Sequence, residues 1–158
     1  MTKKFNLYLG KAGQFFIMSE FLARGWNTCT PDVDVGDDVL VLEDRKGEFK
    51  RVQVKTATAT QQKNGYSVQF NIPIKQLSTR ITPEIHYAFM IRHDDKWVNT
   101  MIIKRKILFD IYESTHINPA EDGNWVLALS FKANKMTYKK VDFSAFIDDF
   151  SAFLKISH

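Results

Sequence analysis

The chain has 158 residues, 44% hydrophobic and 25% charged, which is the balance of an ordinary folded protein long enough to bury a core as one domain over residues 1–158. Its net charge of +4 admits a polyanionic partner without demanding one, because the basic residues are spread along the chain and not massed in a tail. A single cysteine, Cys29, excludes an intramolecular disulfide and a cysteine-rich zinc site, and is expected as a buried reduced thiol.

The opening MTKKFNLYLGKAG lacks the continuous apolar stretch of a secretion signal, and no later run is long enough to span a bilayer. A cytoplasmic protein with no membrane partner is expected. From about Gly10 to Gly25 the spacing predicts a helix: Ala12, Phe15, Phe16, Ser19, Leu22 and Ala23 recur with the helical period, and Gly25 supplies a stop. A short strand from Trp26 to Thr30 and an Asp-rich loop opened by Pro31 follow.

Val39 to Leu42 is apolar at every position, as expected of a strand covered on both faces. Asp44-Arg45-Lys46-Gly47 is turn chemistry, so the chain should return antiparallel over Phe49 to Ala57. On that second strand Val52 and Val54 point one way, and Gln53 and Lys55 the other.

Beyond a turn at Asn64-Gly65, a strand is predicted from Tyr66 to Ile72. Ile85 to Arg92 and Trp97 to Ile103 form a hairpin around His93-Asp94-Asp95-Lys96, a short helix covers about Lys104 to Tyr112, and Trp125 to Phe131 with Lys135 to Lys140 add strands. A closing helix is predicted on the stripe Phe143, Phe146, Ile147, Phe150, Phe153 and Leu154, with Asp142 and Ser144 near its N-terminus as caps. The thirteen phenylalanines are expected mostly in the core, and His86, His93, His116 and His158 have no metal-ligand spacing. The order points to an α/β or α+β sheet packed by helices.

Polar side chains on the covered face of a strand need a reason, and phosphodiester hydrolysis supplies one. It needs charge neutralised on the phosphate and a water activated, which a divalent cation held by oxygen ligands does. Gln53 and Lys55 share a strand face, and Asp38, at the start of the partner strand, can reach the same point.

The segment Gly13 to Thr58, GQFFIMSEFLARGWNTCTPDVDVGDDVLVLEDRKGEFKRVQVKTAT, resembles the amino-terminal half of the PD-(D/E)XK nuclease superfamily. It is similar to small prokaryotic endonuclease-like proteins whose last motif reads QxK, related to Holliday-junction resolvases and group I intron homing endonucleases. The resemblance implies a restriction-endonuclease-like α/β fold, a mixed sheet of four to five strands flanked by helices. It also implies an Mg2+- or Mn2+-dependent endonuclease acting on DNA, a homodimer, and no small-molecule cofactor.

Carried onto this chain, the family's metal-binding aspartate falls on Asp38 in Gly36-Asp37-Asp38-Val39, and its (D/E)XK motif on Gln53-Val54-Lys55. Gln53 then stands as a neutral metal ligand and the Val54 carbonyl as a third contact. Lys55 serves the water and the phosphate, with Thr56 a weaker phosphate-side hydroxyl. Many members place a glutamate on the first helix. Gln14 and Glu20 compete for that position, and Gln14 matches better, because Glu20 falls one turn from Arg24 as a solvated ion pair would. With amides at positions 14 and 53, Asp38 is the one assured anion, and Asp34, Asp37 or Glu20, or the phosphate of the substrate itself, could make up the deficit. The alternative implied by that deficit is a nuclease-fold module with weakened or lost catalysis that binds nucleic acid or a protein.

Overall fold

The computed structural model describes residues 3–33 and 36–157. In chain order it contains α1 (Lys3–Ala23), β1 (Asn27–Cys29), β2 (Val39–Glu43), β3 (Glu48–Thr58), β4 (Thr60–Gln62), β5 (Gly65–Pro73), α2 (Ile74–Ser78), β6 (Ile85–His93), β7 (Lys96–Lys104), α3 (Arg105–Ser114), β8 (Asn124–Lys132), β9 (Lys135–Tyr138) and β10 (Val141–Asp142), followed by a 3-10 turn at Ser144–Phe146. The strands form two sheets of five, where the sequence suggests one. A mixed sheet is ordered β1-β2-β3-β6-β7, with β3 and β6 parallel and its other neighbours antiparallel. An antiparallel sheet is ordered β10-β9-β8-β5-β4.

Strand alternation makes the mixed sheet the middle layer. Val52, Ala88, Met90 and Ile102 bury against Ile17 and Phe21 of α1. Their neighbours Tyr87, Phe89, Ile91, Met101 and Ile103 bury on the opposite side, against Ile72, Trp125, Leu127 and Leu129 of the second sheet. β3 lies at the centre of this layer, between β2 and β6.

The closing helix does not form. Its apolar stripe serves two cores, since Phe143 packs between the sheets whereas Phe153 packs beside α1, and a straight helix cannot reach both. After the 3-10 turn, Asp148 adopts φ +50°, and its carboxylate accepts the Thr100 N–H at 3.0 Å. The tail then returns to α1, where Trp26 Nε1 donates to Leu154 O at 2.9 Å and Ile156 N to Arg24 O at 2.8 Å.

Two further expectations are corrected. The stripe Ala12, Phe15, Ser19, Leu22 is exposed, and α1 instead buries Leu9, Gln14, Ile17 and Phe21. Cys29 is exposed, because it sits on β1 at the rim of the sheet.

Candidate active site

Sheet register builds the site. β2 and β3 pair from Glu43↔Glu48 to Val39↔Val52, and one further step is made by the Asp38 N–H, which donates to Val52 O at 2.9 Å. There β2 ends, while β3 continues from Gln53 to Thr58 beside β6. Backbone groups two residues apart on a strand point to the same side. The N–H and C=O of Val54 therefore face the space that a further β2 residue would have filled. Asp38 fills it with its side chain: Oδ2 accepts the Val54 N–H at 2.7 Å and also the Nε2 of Gln53. The Val54 carbonyl opens to the same space, 3.5 Å from Gln53 Nε2.

Gln53 is buried, and its amide is held at both ends, because Oε1 accepts Gln76 Nε2 at 2.8 Å. Gln76 also donates to Gly36 O at 3.3 Å and accepts from Lys55 Nζ at 3.5 Å, so it ties the loop before β2 to both polar positions of β3. α2 carries Gln76 and is fixed by the buried Leu77, whose carbonyl accepts Arg105 Nη1 at 2.8 Å. That guanidinium is itself buried, and two bonds to Glu84, at 2.7 and 3.1 Å, compensate its lost hydration.

Gln14 arrives from the other face through a close backbone approach. A Cβ added at Gly13 would stand 2.2 Å from Thr56 Oγ1, so only glycine lets α1 ride this near β3. The next residue, Gln14, then donates from Nε2 to the Asp38 backbone carbonyl at 2.6 Å, while its Oε1 accepts Lys11 Nζ at 2.8 Å. It holds the aspartate's main chain and not its carboxylate. Thr56 lies on the α1 side of β3, opposite Lys55, with its hydroxyl buried and without a hydrogen-bond partner among the described residues.

The remaining acids are engaged elsewhere or lie outside the description. Asp37 is buried in a two-point pair with Arg51, at 2.8 and 3.2 Å. Glu20 pairs with Arg24 at 2.9 Å, as its spacing suggests. Asp34 lies outside the described residues. Among the described residues no group of three or more His, Cys, Asp or Glu side chains converges. Of the four histidines, His86 is buried against Phe153, His93 stacks on Tyr66, His116 lies in a turn at φ +50°, and His158 is outside the described residues.

Tyr87 stands opposite Gln53 in the β3–β6 register and so shares its face. Its hydroxyl is buried without a partner among the described residues, and burial pushes its ionisation well above the usual range. Arg105 pulls it down and the Asp38 carboxylate pushes it up, and burial prevails, so the phenol stays neutral. Two open depressions lie beside the cluster, reaching its flanking residues Lys55 and Gln76. One, of about 410 Å³, is bordered by Lys55, Gln69 and Asn71. The other, of about 320 Å³, is bordered by Gly36, Lys75 and Gln76.

The donors suit a hard divalent cation, which prefers oxygen. They comprise the Asp38 carboxylate, the Val54 carbonyl and the Gln53 amide. Gln53 now turns its nitrogen to Asp38 and its oxygen to Gln76, so its amide must turn over to present three oxygens together. Gln76, Lys11 and Tyr87 were not singled out in the sequence. Lys11 sits one turn before Gln14, but nothing local marks Gln76 or Tyr87.

No family model matches the chain, and no curated protein matches it in sequence. Among solved structures it is similar to that of a bacterial homing endonuclease, I-Ssp6803I, with a TM-score of 0.59 and 13% identity over 98% of this chain and 94% of that one. Identity this low speaks for the fold alone. The fold is restriction-endonuclease-like α/β, with a five-stranded mixed sheet and a second sheet beside it.

Proposed function

We propose that this chain is a divalent-metal-dependent endonuclease that hydrolyses phosphodiester bonds in DNA. The observation that carries the proposal is the gap where β2 leaves β3. Asp38, the Val54 carbonyl and the Gln53 amide meet there, with Lys55 one pleat further along. The likeness in fold to a homing endonuclease supports it.

Asp38, Gln53 and the Val54 carbonyl would hold Mg2+ or Mn2+, which when bound neutralises charge on the phosphate and makes a coordinated water more acidic. The chain's own residues do the rest. Lys55 offers an ammonium with three donors to a phosphate oxygen and to the attacking water. Gln14 fixes the Asp38 backbone and so keeps its carboxylate at the gap, while Gln76 holds the Gln53 oxygen until that amide turns over toward a cation. Cleavage or nicking of duplex and branched DNA, measured with either metal, should disappear in Asp38→Ala and Lys55→Ala. Wild-type protein inert on duplex, branched and single-stranded DNA with both metals would refute the proposal.

A second reading is a nuclease-fold module that binds DNA or a protein without cutting. Amides at positions 14 and 53 favour it, since they leave one carboxylate in the cluster among the described residues. It requires metal-independent binding, steeply salt-dependent if the partner is DNA. Calorimetric titration with manganese separates the two, because saturable binding lost in Asp38→Ala belongs only to the first.

A further inference from the structure

α1 is apolar on two sides. Leu9, Ile17 and Phe21 are buried, yet Tyr8, Phe15 and Leu22 are 67%, 58% and 55% exposed, with Leu7 at 70% and Phe5 at 48%. A surface helix buries one stripe, and a helix apolar all round needs a second cover. The exposed positions are ordered. Phe5, Tyr8, Ala12, Phe15, Ser19 and Leu22 are all exposed and follow alternating steps of three and four, which is the spacing of a coiled-coil seam. The seam is about 26 Å long at 1.5 Å per residue.

We infer that this seam packs antiparallel against the same seam of a second copy of the chain, forming a homodimer. Reversed about the midpoint between Gly13 and Gln14, the seam sets Ala12 opposite Phe15, Ser19 opposite Tyr8, and Phe5 opposite Leu22. Small side chains then receive aromatic ones at the two inner levels, and knobs find holes. Parallel pairing would instead stack Phe15 on Phe15 and Tyr8 on Tyr8, with gaps at Ala12 and Ser19.

The area also suits a second copy. An aromatic side chain offers about 150–250 Å² when fully covered. With roughly half or more of Phe5, Tyr8, Phe15 and Leu22 exposed, each copy presents on the order of 400 Å². A symmetric pair would then bury about 800 Å², the size of a weak, reversible interface. A nucleic acid fits poorly, because no seam position carries a cation. The flanking Lys11 is bonded to Gln14 and lies 5.2 Å from the centre of the Phe15 ring.

Sedimentation velocity on the full chain between about 1 and 100 µM tests the inference, and the complex should approach twice the 18.3 kDa mass. Phe15→Glu and, more conservatively, Phe15→Ala should raise the dissociation constant at least tenfold with unchanged circular dichroism, since both alter an exposed side chain. For the direction of packing, Cys29 is first replaced by serine, because it is exposed. In that background Tyr8→Cys with Ser19→Cys should cross-link under mild oxidation, whereas Ser19→Cys alone should not. A protein monomeric throughout the range, a dimer indifferent to both Phe15 variants, or cross-linking by Ser19→Cys alone would overturn it. The readout is mass, so neither result bears on metal binding or cleavage.

Discussion

Replacing Gln53 by glutamate would turn a hydrogen bond into a like-charge contact. The Gln53 amide donates to Asp38 Oδ2 from a side chain only 6% exposed, and glutamate would present an oxygen there instead. Two unit charges about 4 Å apart repel by about 4 kcal/mol at an effective dielectric near 20. The pair can escape by retaining a proton, which for a carboxyl of ordinary pKa near 4.3 costs about 3.7 kcal/mol at pH 7. The loss of stability without metal is therefore about 3–4 kcal/mol, on the order of 10 °C in melting temperature for a chain of this size. Gln76 keeps an acceptor in the variant, so its bond is not part of the cost. The added charge faces the same space as Asp38, so manganese should restore what was lost. A ligand at about 1,000 times its dissociation constant adds about 4 kcal/mol. Paired melting curves in chelator and in manganese, with calorimetry for affinity, measure both effects. A Gln53→Glu protein that melts like wild type in chelator, or melts low and gains nothing from manganese, would refute the assignment of these oxygens to one cation.

Asp38→Ala should abolish manganese binding and, by leaving the Val54 N–H without its acceptor, cost about 1–3 kcal/mol in a chelator melt. Gly13→Ala should destabilise in urea titration despite a helix-propensity gain of about 1 kcal/mol, because forcing a Cβ against Thr56 costs about 1–3 kcal/mol and lifts Gln14 from Asp38. Burial, followed by Lys50 and Lys104, lowers the His86 pKa from 6.5 to about 4. The unfolded chain therefore binds the extra proton between those values, and stability present above pH 6.5 should fall by about 3 kcal/mol as the pH drops to 4. His86→Met should flatten that part of the stability profile, read from urea midpoints against pH.

The β2–β3 hairpin was legible because its signals are local. A four-residue turn joins two strands whose alternation is plain, and Asp38, Gln53, Val54 and Lys55 all belong to it. Gln76 was not legible, because α2 spans only Ile74–Ser78, too short for a helical period to show, and it reaches Gln53 only through the tertiary fold. On α1 the period was readable but the face was not. Leu9, Ile17 and Phe21 make as good a stripe as Tyr8, Phe15 and Leu22, and only the sheet decides between them. The aromatic run after Phe143 failed for a related reason: apolar spacing records burial but not which core each residue enters. Likewise, strands β5, β8 and β9 are visible singly, and β8 and β9 pair as a local hairpin, but their assembly into a separate sheet depends on the pairing of β5 with β8, far apart in sequence.

The ladder position that Asp38 completes also gives the site a spectroscopic handle. β3 runs almost directly into β4, with only Ala59 between them, so the strand under the site leads straight from the mixed sheet into the second one. Amides in so central a strand exchange with solvent slowly, by opening of the whole structure. Val54 differs in one respect, because its N–H is held by a side-chain carboxylate and not by a backbone carbonyl. A bound cation that draws that carboxylate away should change the Val54 amide's shift and exchange rate, while β3 amides remote from the gap stay still. A single nuclear magnetic resonance signal would thus follow the occupancy of the site without any reaction being run.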